Sequence, residues 1–263
     1  MARVRLDALL AERGLFPSRA RAAASVLAGE VRLGDDGRAA AKPGQLVSED
    51  VPLTVAPGRE YASRGGRKLA NALDALDLDV AGRRALDVGA STGGFTDCLL
   101  QRGAAHVVAL DVARGVLDWR LRTDERVTVL ERVNARALDP DALPYRPDLV
   151  VVDVSFISLT KVLPAVVAAA ADRFDALAMV KPQFEVGRDR VGKGGVVRDA
   201  GERRRALLEV AGAAAALPAA VLGFASSGLP GPKGNRETFV WLAEATRGGL
   251  ADLEAAVDEV EPA

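Results

Sequence analysis

The sequence predicts a chain of two parts: a small module of helices and short strands, then a doubly wound α/β sheet. Three observations carry this reading. From residue 85 onward, short and almost continuously apolar runs recur, separated by stretches of helical periodicity, as expected of strands covered on both faces. The first of these runs ends in a glycine-rich turn, Asp87-Val88-Gly89-Ala90-Ser91-Thr92-Gly93-Gly94-Phe95. Open α/β sheets bind ligands at such turns, beyond the carboxyl ends of their strands. Charge also divides the chain. Residues 1–70 hold 12 Lys+Arg against 8 Asp+Glu, net +4, while the remainder holds 23 against 28, net −5. A basic front on an acidic body points to an anionic partner, with solvated helix faces as the alternative.

In the front module, Leu6, Leu9 and Leu10, then Ala20, Ala23, Ala24 and Leu27, have helical spacing. Ser18 is a good N-cap for the second helix, and Gly29 ends it. Val31–Leu33 and Val51–Val55 read as strands, the first broken at Gly34–Gly37, and Pro57-Gly58 closes the module at residue 58. Residues 59–67, with paired glycines and three arginines, read as an exposed and mobile linker. A helix is expected from Lys68, with Leu69, Leu73 and Leu76 on one face.

The large domain is placed at residues 68–247. Its strand candidates are 85–88, 106–111, 127–131, 149–154, 176–181, 221–226 and 238–242. Too little chain precedes the last one for a crossover helix, so it is expected to run antiparallel. Residues 248–263 are acidic and read as a terminal helix or a frayed tail.

Composition narrows the chemistry. In 263 residues, 49% are apolar but only 4% aromatic, so the core is built from Ala, Val and Leu. The single Cys98 excludes an internal disulfide, and with the single His106 it leaves no His/Cys metal cluster. His106 opens an apolar run and is assigned a surface or strand-edge role. No secretory signal is expected, because Asp7, Glu12 and Arg13 interrupt any apolar stretch after Arg3 and Arg5. The longest uncharged stretch, 210–232, contains Pro218 and ends in Gly228-Leu229-Pro230-Gly231-Pro232. It reads as helix, break, strand and turn rather than a membrane span.

The turn spacing is Asp-x-Gly-x-x-x-Gly-Gly, not the dinucleotide G-x-G-x-x-G. It is more typical of methyltransferases that bind S-adenosylmethionine. Asp111, 18 residues past Gly93, ends the next strand, where it can accept hydrogen bonds from ribose hydroxyls. Val112 follows it, and Asn134, after the third strand, is placed near the adenine. Asp153 and Lys181 end the fourth and fifth strands, Glu237 precedes the last, and Lys68 begins the helix before the sheet. Charged strand ends beside a cofactor turn need partners, although Lys68 or Glu237 taken alone could be a solvated surface charge.

Two resemblances extend this reading. The front module resembles the alpha-L RNA-binding motif, through Arg5-Leu6-Asp7, Gly14, Ser18-Arg19, Ala22 and Gly29-Glu30-Val31-Arg32. That resemblance implies RNA contact through Arg19 and Arg21 at a helix N-terminus, with Arg3, Arg5 and Arg32 widening the face and Arg64 and Arg67 in the linker.

The whole chain resembles the TlyA family of rRNA 2′-O-methyltransferases, historically also labelled hemolysin A, with a Rossmann-like methyltransferase domain similar to FtsJ. The carrying motifs are Ser63-Arg64-Gly65-Gly66-Arg67-Lys68-Leu69, Gly89–Thr96, Asp153-Val154-Ser155-Phe156-Ile157-Ser158, Val180–Gly187, Gly194–Val197 and Leu229–Asn235. The chain departs from some members at Tyr61, where they carry Trp, and at Gly66, where others have Ala.

The resemblance implies a catalytic tetrad of Lys68, Asp153, Lys181 and Glu237. It also implies S-adenosyl-L-methionine as cofactor, held by Asp87, Gly89, Ala90, Ser91, Thr92, Gly93, Gly94, Phe95, Asp111, Val112, Asn134 and Asp153. The implied substrate is a cytidine ribose in rRNA of the large subunit, and for a chain with this C-terminal end also of the small subunit. Ribosomal subunits are the implied partners, in the cytoplasm, with neither membrane nor metal. Lys181 would act either as a base or as a cation that stabilises the forming alkoxide. The competing readings are a pore-forming hemolysin, a non-catalytic ribosome-binding factor and, disfavoured by the turn spacing, an NAD-dependent oxidoreductase.

Overall fold

A computed structural model describes residues 3–27, 29–55 and 60–261. The chain divides into two compact units, Met1–Glu60 and Tyr61–Ala263. The expected closing turn at Pro57-Gly58, and Arg59, lie outside the described residues.

The first unit runs β1 (Arg3–Arg5), α1 (Leu6–Glu12), α2 (Arg19–Leu27), β2 (Val31–Leu33), β3 (Arg38–Ala39), β4 (Leu46–Ser48) and β5 (Leu53–Val55). Both helices form as expected. The Ser18 hydroxyl accepts from the Arg21 N–H at 3.2 Å, capping α2. Two strands were not foreseen: β1 pairs antiparallel with β4, apart from the β3-β2-β5 sheet. Neither Arg3–Arg5 nor Leu46–Ser48 is set off by the apolar alternation and glycine or proline punctuation that marked β2 and β5. A small core of Leu6, Leu10, Ala22, Val26, Val31, Leu33 and Ala40 holds the unit together.

The second unit opens with α3 (Arg64–Ala75), four residues before the expected start. Ser63 caps it through the Gly65 N–H. Arg64 and Arg67 therefore belong to a helix rather than to a linker, and Tyr61 is buried. Gly66 lies in van der Waals contact with Tyr61 and with the turn. A Cβ there would sit 2.7 Å from the Gly94 carbonyl and would strike the Tyr61 ring.

After α3 come β6 (Arg84–Val88), α4 (Gly94–Gln101), β7 (His106–Asp111), α5 (Trp119–Arg122), β8 (Val127–Glu131), β9 (Leu149–Val152), α6 (Leu163–Ala169) and β10 (Asp175–Val180). The chain closes with α7 (Pro182–Glu185), α8 (Ala200–Ala215), β11 (Ala219–Ser226), β12 (Thr238–Glu244) and α9 (Leu253–Val260). The seven strands form one sheet in the order β11-β12-β10-β9-β6-β7-β8. As expected, β12 runs antiparallel to both of its neighbours. Residues alternate between two cores. Leu86, Val88, Val150 and Val152 face α6 and α8, whereas Ala85, Leu149 and Val151 face α3 and α4.

The acidic end is a helix and not a frayed tail. Asp252 caps α9, Val257 is fully buried, and Glu261 is buried against Arg203 at 2.5 Å and Arg236 at 3.4 Å. His106 bonds Tyr145 and Thr128 at the start of β7. Cys98 is buried, which pushes its thiol up to about 11. No helix among the described residues is long and apolar enough to cross a membrane, and none of their His, Cys, Asp and Glu side chains group as a metal site would require.

Candidate active site

The chain reverses its direction across the sheet between β6 and β9, and the site lies there. The Gly89 N–H donates to the Leu110 carbonyl at 2.8 Å and the Asp153 N–H to the Val88 carbonyl at 2.9 Å, which joins the glycine turn to the two neighbouring strand ends. Gly89 has φ +87°, and a Cβ would come within 2.5 Å of the Asp153 carbonyl oxygen. Only glycine fits this position.

Below the turn, Asp87 is fully buried and accepts from the Thr96 N–H at 2.9 Å and hydroxyl at 2.7 Å. Its other oxygen has no hydrogen-bond partner. Burial, together with the nearby Asp153 and Asp111 charges and against the Thr96 hydrogen bonds, pushes its carboxyl up to about 7. Asp87 therefore braces the start of α4 from inside the core. The Phe95 side chain is also in the core, 5.8 Å from the Phe239 ring.

A cleft opens above Ala90 and Ser91, with Asp111 and Glu131 as its carboxylates and Ala109, Ala113, Val116, Leu117 and Val129 as its apolar lining. Asp111 accepts from the Ser91 N–H and the Ala113 N–H, each at 2.7 Å. A carboxylate has about four acceptor positions, so roughly two remain for ribose hydroxyls. The donor set suits a nucleoside cofactor: carboxylates for a diol, an apolar wall for a base, and negative charge for a sulfonium.

Val112 is exposed outside this lining, and Asn134 is exposed beyond it, where it caps a turn through the Arg136 N–H. Glu131 was not foreseen. It accepts from the Gly115 N–H at 2.7 Å and pairs with Arg122, and these contacts hold its carboxyl below the usual range, the backbone bond first. A charged residue closing a parallel strand was the available signal.

The four tetrad residues form two ion pairs. The Lys68 ammonium pairs with Glu237, joining α3 to the start of β12 across 169 positions of chain. The Lys181 ammonium lies 2.5 Å from Asp153 Oδ1 and donates to the Ser155 hydroxyl at 2.9 Å. Asp153 Oδ1 makes no well-angled hydrogen bond, so the contact with Lys181 is one of charge. Ser155 was not foreseen. Nor was Phe156, which is 92% exposed at φ +65° and 5.2 Å from the Phe184 ring.

In the first unit, Asp7 gathers two of the expected RNA contacts, Arg5 at 2.7 Å and Arg19 at 3.5 Å. The Arg5 hydrogen bonds hold its carboxyl below the usual range despite its burial. Arg3, Arg21 and Arg32 are exposed. On α3, Arg64 and Arg67 are exposed, and Arg64 donates to the Pro230 carbonyl at 3.0 Å.

The FtsJ-like methyltransferase family matches residues 61–244. A Mycobacterium tuberculosis protein named 16S/23S rRNA (cytidine-2′-O)-methyltransferase TlyA is 54% identical over 259 residues, covering 97% of this chain and 96% of that one. A Campylobacter jejuni protein named 23S rRNA (cytidine-2′-O)-methyltransferase TlyA is 33% identical, covering 69% of this chain and 70% of its own. A solved structure of a candidate hemolysin from Streptococcus thermophilus superposes with a TM-score of 0.73 at 36% identity, covering 98% and 96% of the two chains. The chain belongs to the TlyA family of FtsJ-like methyltransferases.

Proposed function

We propose that this protein transfers a methyl group from S-adenosylmethionine to the 2′-hydroxyl of a cytidine ribose in ribosomal RNA, working on ribosomal subunits in the cytoplasm. The observation that carries the reading is the Lys181–Asp153 pair, set against the glycine turn at the strand ends. S-adenosylmethionine, when held by the cleft lined by Ala90, Ser91 and Asp111, would supply an activated methyl group.

The chain's own residues then have an alignment task. Asp111 holds the cofactor ribose. Lys181, fixed by Asp153 and Ser155, holds the attacking oxygen and stabilises the negative charge that develops as its proton departs. Asp153, a quarter exposed, offers that proton a route to solvent. Lys68 and Glu237 fix α3 against the sheet beside the turn. The exposed Phe156 ring offers a face on which an extruded base can stack. Arg3, Arg5, Arg19, Arg21 and Arg32 on the first unit, with Arg64 and Arg67 on α3, take RNA phosphates.

The test is to incubate the protein with S-adenosylmethionine and ribosomes lacking the modification, then to map ribose methylation. A new 2′-O-methylcytidine is expected, and its absence with active protein would overturn the reading. Charge reversal at Arg19 and Arg21 should weaken RNA binding and flatten its salt dependence, because fewer counterions are released.

A further inference from the structure

Glu185 is a half-buried carboxyl that the chemistry above does not use. It ends α7, the single turn that begins beside Lys181. Its Oε1 accepts from the Leu159 N–H at 3.0 Å. Its Oε2 is buried without a hydrogen-bond partner. Burial pushes the carboxyl above its usual range against the Leu159 hydrogen bond, and Glu209 of α8 adds a like charge. Burying an acid with one oxygen unsatisfied is unfavourable, so the contact of the other oxygen needs a role.

That contact closes a ring. The segment from Asp153 to Leu159 leaves β9 carrying Asp153 and Ser155, the two partners of Lys181. Phe156 at its crest is held at φ +65°, an unfavourable conformation for an aromatic residue, with its ring on Phe184. The segment is thus tied to α7 at three points: Lys181 at its start, Phe184 in the middle and Glu185 at its far end. Val154, Ile157 and the buried Leu159 also pack on the core, and the Glu185 bond is what links that end of the segment to the turn that follows Lys181.

We propose that Glu185 is a positioning residue: it fixes the Asp153–Leu159 segment and so aims the Lys181 ammonium at the acceptor hydroxyl. This rests on the reading of Lys181 given above. The experiment compares Glu185→Ala, Glu185→Asp, Glu185→Gln and Lys181→Ala in the full-length protein. It measures turnover on ribosomes, S-adenosylmethionine affinity by calorimetry and thermal unfolding.

Glu185→Ala should lower kcat about tenfold or more while the cofactor Kd stays within about twofold. Glu185→Gln, which keeps an oxygen within reach of the Leu159 N–H, should return to within about threefold of the parent. Glu185→Asp keeps the charge but loses the reach, and should behave like the alanine variant. The two conservative variants decide the matter if the alanine variant fails to fold. Equal turnover by Glu185→Asp and Glu185→Gln, or cofactor affinity lost in step with kcat, would overturn the proposal. If Lys181→Ala is dead while Glu185→Asp turns over like the parent, this proposal alone fails. If Lys181→Ala turns over like the parent, the reading of Lys181 fails and takes this proposal with it.

Discussion

The two lysine–carboxylate pairs are made of the same groups in different housings. Lys68 and Glu237 keep 7% and 2% of their side-chain surface, whereas Lys181 and Asp153 keep 10% and 25%. The first pair joins elements far apart in the chain and is closed to water. The second lies at two strand ends beside the turn, and its lysine also donates to the exposed Ser155. A sealed pair holds geometry, because separating it strands a charge in the core. A half-open pair can exchange one partner for a substrate oxygen.

The comparison can be broken most directly at the open pair. Lys181→Ala should reduce turnover by about 10²–10³-fold, the range for removing one group that stabilises a developing oxyanion. Unfolding and cofactor affinity should stay near parental values. Parental turnover by a folded variant would remove Lys181 from the chemistry.

At the sealed pair the effect should fall on stability first. Lys68→Met leaves Glu237 buried and uncompensated, and should cost about 3–5 kcal/mol in denaturant unfolding. Replacing Glu237 with Leu in the same variant should restore most of that loss. A cost well under 1 kcal/mol would show that the pair is not sealed in solution.

A third variant leaves both pairs intact and tests the cleft. Asp111→Ala should weaken S-adenosylmethionine binding by about 1–3 kcal/mol, the value of charge-assisted hydrogen bonds. An unchanged dissociation constant would make Asp111 a brace for Ser91 and Ala113 only.

A fourth test sharpens the comparison through pH. The Asp87 carboxyl is raised to about 7 by burial first and by Asp153 and Asp111 after it. A raised acid favours the fold while it is protonated. As pH rises through the ordinary carboxyl range the unfolded chain ionises first, so stability should fall up to about pH 7 and then level off. Measured against Asp87→Asn, the parent should show this decline, and Asp153→Asn should move its upper end to lower pH. A flat difference would mean that Asp87 ionises normally.

The sheet was legible because its strands are apolar on both faces and its turns are marked by glycine. Each expected strand of the large sheet formed within two residues of its predicted limits. Where reading failed, the deciding contacts were distant in sequence. Arg64–Arg67 read as linker, since two glycines between two arginines carry no helical pattern. Ser63 caps the helix locally, and the close packing of its first turn against Tyr61 and the Gly94 carbonyl requires the glycine at 66. The acidic end read equally as a tail, because nothing near Glu261 in sequence announces Arg203 and Arg236. Ser155 was missed for the same reason, its partner Lys181 standing 26 positions away. Phe95 and Asp87 were counted among the cofactor contacts by their place in the motif, yet their side chains brace the turn from within the core.

The sequence by itself determined the order of strands and helices along the chain and the glycine turn, since periodicity and backbone freedom are local properties, while the four ionisable residues were singled out through the resemblance of their motifs to a family. Tertiary structure alone decided which lysine meets which carboxylate and which pair stays within reach of water. The strand order brings Asp153 and Lys181 to adjacent strand ends, while α3 carries Lys68 to Glu237 from 169 positions away. The strength of an ion pair depends on what surrounds it, and those surroundings come from parts of the chain that no local pattern connects.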